Sequence, residues 1–188
     1  MSEALKAGGY DTALFGKLHL SAVPNGFDTS WVLPGQGHYM NPDYFVDGYG
    51  GKKIRKAGYC SDIIGDMTIE WLKRRKESDA PFFLCSWHKA PHRTWLPPER
   101  LYTFLDDVEI PESDTLFDTY EGRNPASKNV MSIKDELNLS SDLKVTPPVA
   151  TTSGEDIRAS APETLAWDQT TYNEFERMTD EQRDAWDA

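Results

Sequence analysis

Cysteine is scarce in this chain, with Cys60 and Cys85 its only two in 188 residues, and neither belongs to a C-x-x-C pair. That spacing excludes a disulfide framework and a zinc ribbon and leaves the redox compartment open. Long apolar runs are missing as well. No window approaches the roughly 18 to 20 consecutive apolar residues of a membrane-spanning helix, and the opening Met-Ser-Glu-Ala-Leu-Lys lacks the basic-then-apolar pattern of a signal peptide. Neither a membrane partner nor a cellular address is therefore assigned. Positive charge is short too, with 20 Lys+Arg against 31 Asp+Glu and a net charge of −11. Residues 1–100 hold 13 basic and 11 acidic side chains, whereas residues 101–188 hold 7 and 20, so the halves stand at +2 and −13. Phosphate neutralisation drives nucleic-acid affinity, so an acidic half makes nucleic acid a poor partner, and any anion site belongs in the first hundred residues.

The length suits one compact domain able to bury roughly 70% of its unfolded surface, so a core needs no staples. Ala4 to Gly9 reads as a last helical turn with a glycine stop, and it leads into the short apolar run Ala13-Leu14-Phe15. Turn residues surround Trp31-Val32-Leu33, and Tyr44-Phe45-Val46 with Asp47-Gly48 and the basic stretch after it predicts a hairpin. Ile63, Ile64, Met67, Trp71 and Leu72 at helical spacing predict a helix over Asp62 to Lys76, capped by Ser61 and ending in cations. Pro81 to Trp87 is then a continuous apolar run of strand length. Pro97-Pro98 can open a short helix through Leu105, and Thr179 to Gln182 matches a capping box. The polar stretch 121–162 reads as a loop-like excursion. Helix alternating with apolar strand implies an α/β protein with a mostly parallel sheet flanked by helices.

Both apolar strands run into polar clusters: the first into Lys17 and His19, the second into His88, Lys89 and His92. Ligands of open α/β sheets bind outside the carboxyl ends of the strands. A lysine point charge suits an oxyanion, and histidine exchanges protons near neutral pH, so these clusters point to an anion site. Such a pair at one strand end is ordinary solvated surface in most proteins; two clusters together carry the argument. Two other motifs fail. His88 and His92 are four apart, as in zinc proteases, but Lys89 and Pro91 fill the gap where a helix and a glutamate are needed, and Gly48 to Lys53 lacks the first glycine and the final Ser or Thr of a phosphate loop.

Gly9-Tyr10, Thr12-Ala13-Leu14 and Gly16-Lys17-Leu18-His19-Leu20 resemble the Gly-Tyr-x-Thr-Ala-Leu-x-Gly-Lys-Trp-His-Leu-Gly segment of the type I, formylglycine-dependent sulfatases. Pro34-Gly35-Gln36-Gly37 with Tyr39, Asn41 and Pro42 is similar to the bacterial branch that desulfates N-acetylglucosamine 6-sulfate, heparan and mucin. Lys89 to Arg93, Asp107 to Pro111, Tyr120 to Arg123 and Met178 to Trp186 continue the likeness over most of the chain. The resemblance implies part of an alkaline-phosphatase-like sulfatase core, with 1–188 an incomplete catalytic domain acting on a sulfated carbohydrate. It also implies roles: Lys17 for the sulfate, His19 for sulfate release, His92 for protonating the leaving oxygen, and Lys89, His38 and Asn41 for binding substrate. The family's cofactors are calcium and formylglycine. Leu18 and Ser21 replace the usual Trp and Gly, no Cys-x-Pro-x-Arg is present, and no paired aspartates match the calcium ligands, so no residue here is assigned to a metal. The expectation is a sulfatase fragment inactive by itself, with the missing remainder of a sulfatase as its partner; the alternative is a non-catalytic remnant or anion-binding module. The family is usually exported.

Overall fold

The computed structural model describes residues 1–20, 25–48, 51–75, 78, 80–123, 142 and 174–188. Helix α1 (Ser2–Ala7) stops at Gly8, and Gly9 turns the chain at a φ of 85° into strand β1 (Asp11–Gly16). Strands β2 (Thr29–Val32), β3 (Asp43–Val46) and β4 (Lys53–Arg55) follow, then helix α2 (Cys60–Arg74) and strand β5 (Phe82–Trp87). Short 3₁₀ turns at Glu99–Leu101 and Glu174–Arg177 precede helix α3 (Asp180–Asp187), and Thr179 with Gln182 forms the capping box expected there. The polar stretch 121–162 lies outside the described residues apart from 121–123 and Asp142.

One sheet, ordered β4-β3-β2-β1-β5, carries the described strands. It is mixed rather than mostly parallel. β1 pairs in parallel with both β2 and β5, while β2 with β3 and β3 with β4 are antiparallel. The tight turn of the 43–55 hairpin makes β3 and β4 antiparallel, and the hairpin docks through β3 antiparallel to β2. β1 is the central parallel strand and is buried from Thr12 to Gly16, which explains its unbroken apolar text.

α2 lays Cys60, Ile64, Met67 and Trp71 on the sheet against Ala13, Phe15, Leu33 and Tyr44. Its boundary corrects the expected one. Tyr59, not Ser61, is the N-cap residue, it makes no side-chain cap bond, and Ser61 is already inside the first turn. β5 is the strand expected from the apolar run, with Phe82 and Trp87 exposed at 50% and 43%, since β1 is its sole strand neighbour among the described residues. The helix expected after Pro98 is a single 3₁₀ turn followed by further turns. No helix among the described residues is long and apolar enough to cross a membrane. A second cluster of Tyr39, Met40, Leu96 and Met178, with Tyr59, Phe175 and Trp186 against it, binds the C-terminal segment to the loop after β2.

Candidate anion site at the strand ends

Three strands end level. In the parallel register Gly16 faces Val32 on one side and Trp87 on the other, so β1, β2 and β5 release their loops at the same edge. The Lys17 N–H donates to the Trp87 carbonyl at 2.8 Å, and the Leu33 N–H to the Gly16 carbonyl at 2.9 Å, which locks the three exits together. Glycine at position 16 is required by this closeness: its φ is 118°, and a Cβ there would lie 1.8 Å from the Trp87 carbonyl oxygen.

Lys17, half-buried, leaves the β1 end beside exposed His19, and Gln36 Nε2 from the β2 exit lies 3.4 Å from His19 Nε2. From the β5 exit, the His92 N–H closes a turn onto the Lys89 carbonyl at 2.9 Å. Lys89 is 1% exposed, with its ammonium 4.6 Å above the Tyr39 ring, so it reaches the site from within the wall and not from solvent. The His92 ring Nδ1 contacts the Arg93 carbonyl. Arg93 forks onto buried Asp142, at 2.8 Å from Nε. Exposed His88 stands apart from these contacts.

The electrostatics show what converges. Burial pushes the His92 imidazole below its ordinary 6.5, the Arg93 carbonyl works against that, and the positive charges of Lys17, Lys89 and His19 push it lower still. Partial burial likewise lowers the Lys17 ammonium. Lys17, Lys89 and His19 thus lie near enough for their positive charges to act on His92, an arrangement chemically suited to an anion.

His38 and Asn41 sit on the other side of the Pro34–Gly37 turn. His38 Nδ1 is 3.7 Å from a carboxylate oxygen of Glu174, and with Asp43, Lys53 and Arg177 it lines a cavity of about 300 Å³. Asn41 is buried and fully engaged. Its amide donates to the Arg177 carbonyl and, at 2.8 Å, to Gln182, and its oxygen accepts from the Gly58 N–H at 2.9 Å. The structure thus brings Lys17, His19, Lys89 and His92 to one edge and ties Asn41 into the link between loop and C-terminal segment.

Sequence reasoning took His38 and Asn41 from the β2 exit but gave no role to Gln36, Tyr39 or Glu174. The short apolar run Trp31-Val32-Leu33, with a turn straight after it, was a usable signal of a third strand end. Nothing local marks Glu174 among so many acids.

Neither cysteine fits the precursor of formylglycine. Burial pushes the Cys60 thiol up to about 11, 3.7 Å from the Tyr44 hydroxyl, and burial raises Cys85 in the middle of β5. Among the described residues no group of His, Cys, Asp and Glu is placed to hold a metal ion.

The comparisons with known proteins agree with this core. No protein-family model matches the chain. It is 37% identical, over 98% of its length, to an N-acetylglucosamine-6-O-sulfatase of Bacteroides thetaiotaomicron, of which it covers 31%. The solved structure of BT4656 in complex with its substrate D-glucosamine-2-N,6-O-disulfate is 36% identical and superposes with a TM-score of 0.77 over 99% of this chain and 35% of that one. A yidJ protein of Bacteroides fragilis, 18% identical with a TM-score of 0.51 over 71% of this chain and 33% of that one, shares the fold alone. The fold, a mixed five-stranded sheet flanked by helices, matches part of that BT4656 structure, an alkaline-phosphatase-like fold. Over nearly all its length the chain is similar to an N-acetylglucosamine-6-O-sulfatase. The chain spans about a third of the length of these relatives.

Proposed function

We propose that the chain is the sulfate-holding portion of a sulfatase acting on 6-O-sulfated glucosamine in glycans. One observation carries this reading: the Lys17, Lys89 and His19 charges converge on His92 where three strands end, in a chain 37% identical to an N-acetylglucosamine-6-O-sulfatase. Lys17 supplies a point charge to a sulfuryl oxygen, and Lys89, fixed in the wall, adds field from behind. His92 would carry the proton that a leaving ester oxygen needs, and His19, beside Gln36, would exchange protons with a bound sulfate. Calcium and formylglycine belong to the family this chain resembles, but the described residues offer no fit for either, so no step is routed through them. A non-catalytic anion-binding module would use the same four side chains.

Protonation should couple to binding. An anion at this edge favours the charged imidazolium that the neighbouring cations disfavour in the free protein, so binding takes up protons. Affinity for N-acetylglucosamine 6-sulfate is expected to rise about tenfold between pH 8 and pH 5.5, and unsulfated N-acetylglucosamine, which has no titrating amine, should show no pH dependence. Calorimetric titration of both sugars at the two pH values tests the reading; equal binding of both sugars, or affinity that falls with acidification, counts against it.

A further inference from the structure

We propose that Glu174 is a positioning residue for the strand-end site, acting through Tyr39, whose ring and hydroxyl hold Lys89 and the His92 backbone. This rests on the reading of that edge as an anion site. Glu174 is 1% exposed and separated from the loop after β2 by about 135 positions of sequence. Its carboxylate accepts the Tyr39 N–H at 2.9 and 2.8 Å and the Met40 N–H at 3.2 Å, with His38 Nδ1 at 3.7 Å. Two inward-pointing backbone amides and an imidazole on three successive residues form an anion nest, which the chain fills with its own side chain. Replacing the carboxylate by an amide removes the charge, leaves one accepting oxygen where two accepted, and turns an NH2 donor toward the backbone N–H groups, so residues 38–40 would shift to find other partners.

Tyr39 transmits that change. Its hydroxyl donates to the His92 carbonyl at 2.7 Å, and its ring lies under the Lys89 ammonium at 4.6 Å. Stacking on Tyr59 at 5.8 Å and the Cys60 N–H to Tyr39 carbonyl bond at 2.7 Å fix the other side of the ring to the start of α2. One side chain therefore touches both ends of the Lys89–His92 turn, and Glu174 sets the backbone that carries it. The Lys17–His19 exit from β1 has no such dependence on Glu174.

The test uses the full 188-residue chain, inorganic sulfate as the probe, and ring signals of His92 and His19 read by NMR. In Glu174→Gln, sulfate affinity is expected to fall about tenfold. The His92 pKa separates two causes. Loss of a nearby negative charge alone would move it further down, whereas release of His92 from Lys17 and Lys89 moves it up towards 6.5. We expect it to rise. Tyr39→Phe keeps the ring under Lys89 and removes only the bond to His92, so it should weaken sulfate binding about threefold and still shift His92, which keeps the proposal testable if Glu174→Gln fails to fold. Met67→Ala, in the core under α2, is the control: it lowers the thermal midpoint and leaves sulfate affinity unchanged. A downward or absent His92 shift in both site variants, or affinity loss in Met67→Ala equal to theirs, overturns the proposal. If the unaltered chain binds no sulfate, the anion-site reading fails, and the direction of the His92 shift alone decides the role of Glu174.

Discussion

Alanine at Gly16 is expected to destabilise the protein by about 3 to 5 kcal/mol and to abolish sulfate binding. Two effects add. The backbone sits at a φ of 118°, where a side chain costs on the order of 1 to 3 kcal/mol, and the new Cβ would overlap the Trp87 carbonyl oxygen at 1.8 Å and its carbon at 2.7 Å. That neighbour is backbone in the adjacent strand, so relief requires β1 and β5 to part. Parting them breaks the Lys17 N–H bond to Trp87 and disturbs the Leu33 N–H bond to Gly16. Since whole domains are stable by only about 5 to 15 kcal/mol, much of the protein should be unfolded under mild denaturant. Urea unfolding of Gly16→Ala against the unaltered chain checks this; a loss below about 1 kcal/mol would mean that the strand ends do not meet as described.

Asp43→Ala should be nearly as damaging, by about 3 kcal/mol. The Asp43 carboxylate sits at 11% side-chain exposure between three cations: Arg55 at 3.0 Å, Arg177 at 3.1 Å and Lys53 at 3.3 Å. Lys53 and Arg55 are mostly solvated and contribute little, but Arg177 is 13% exposed and would be left as an unpaired buried charge. Burial works to raise the Asp43 carboxyl; the hydrogen bonds from Arg55 and Arg177 outweigh it and hold the group well below its ordinary 3.8. The sign follows. A carboxylate depressed in the folded state adds stability that is complete above pH 3.8 and is lost as pH falls through the folded value, because the unfolded chain then binds the extra proton. Urea midpoints between pH 7 and pH 2 should therefore decline more steeply below pH 3.8 in the natural chain than in Asp43→Ala. Parallel declines would show that the Asp43–Arg177 pair contributes nothing. The same pair anchors the C-terminal segment, since Arg177 also donates to the Asn41 carbonyl at 2.6 Å.

Elements whose cause is local were legible in the sequence. α2 announces itself by Ile64, Met67 and Trp71 at helical spacing, β1 by its unbroken apolar text, and α3 by the reciprocal bonds of Thr179 and Gln182. The strand-end clusters followed from the same logic, because a parallel strand delivers its next residues to the carboxyl edge whatever its neighbours are. Errors arose where the cause is distant. Ser61 has the chemistry of a cap, yet the Cys60 N–H bond to the Tyr39 carbonyl, a contact across 21 positions, starts the helix two residues earlier. The mixed pairing depends on where the 43–55 hairpin docks, and β2 is too short to show a period. Glu174, Arg177 and Asn41 meet across more than 130 positions, and their residue types are those of ordinary surface loops. The resemblance to sulfatases supplied roles for Lys17, His19 and His92; it did not supply the Tyr39 link between Lys89 and His92, which only the fold displays.

The central claim is that Lys17, His19 and His92 hold one oxyanion between them. Titration of the 188-residue chain with sulfate at pH 6.5 and low salt, followed through the ring signals of all four histidines, tests it most directly. The account predicts saturable movement of His19 and His92 together, with a Kd of order 1 mM or about −4 kcal/mol, little movement of His88, and loss of the response in Lys17→Ala. Linear, unsaturable drift shared by every histidine, or a response that survives Lys17→Ala intact, would contradict it.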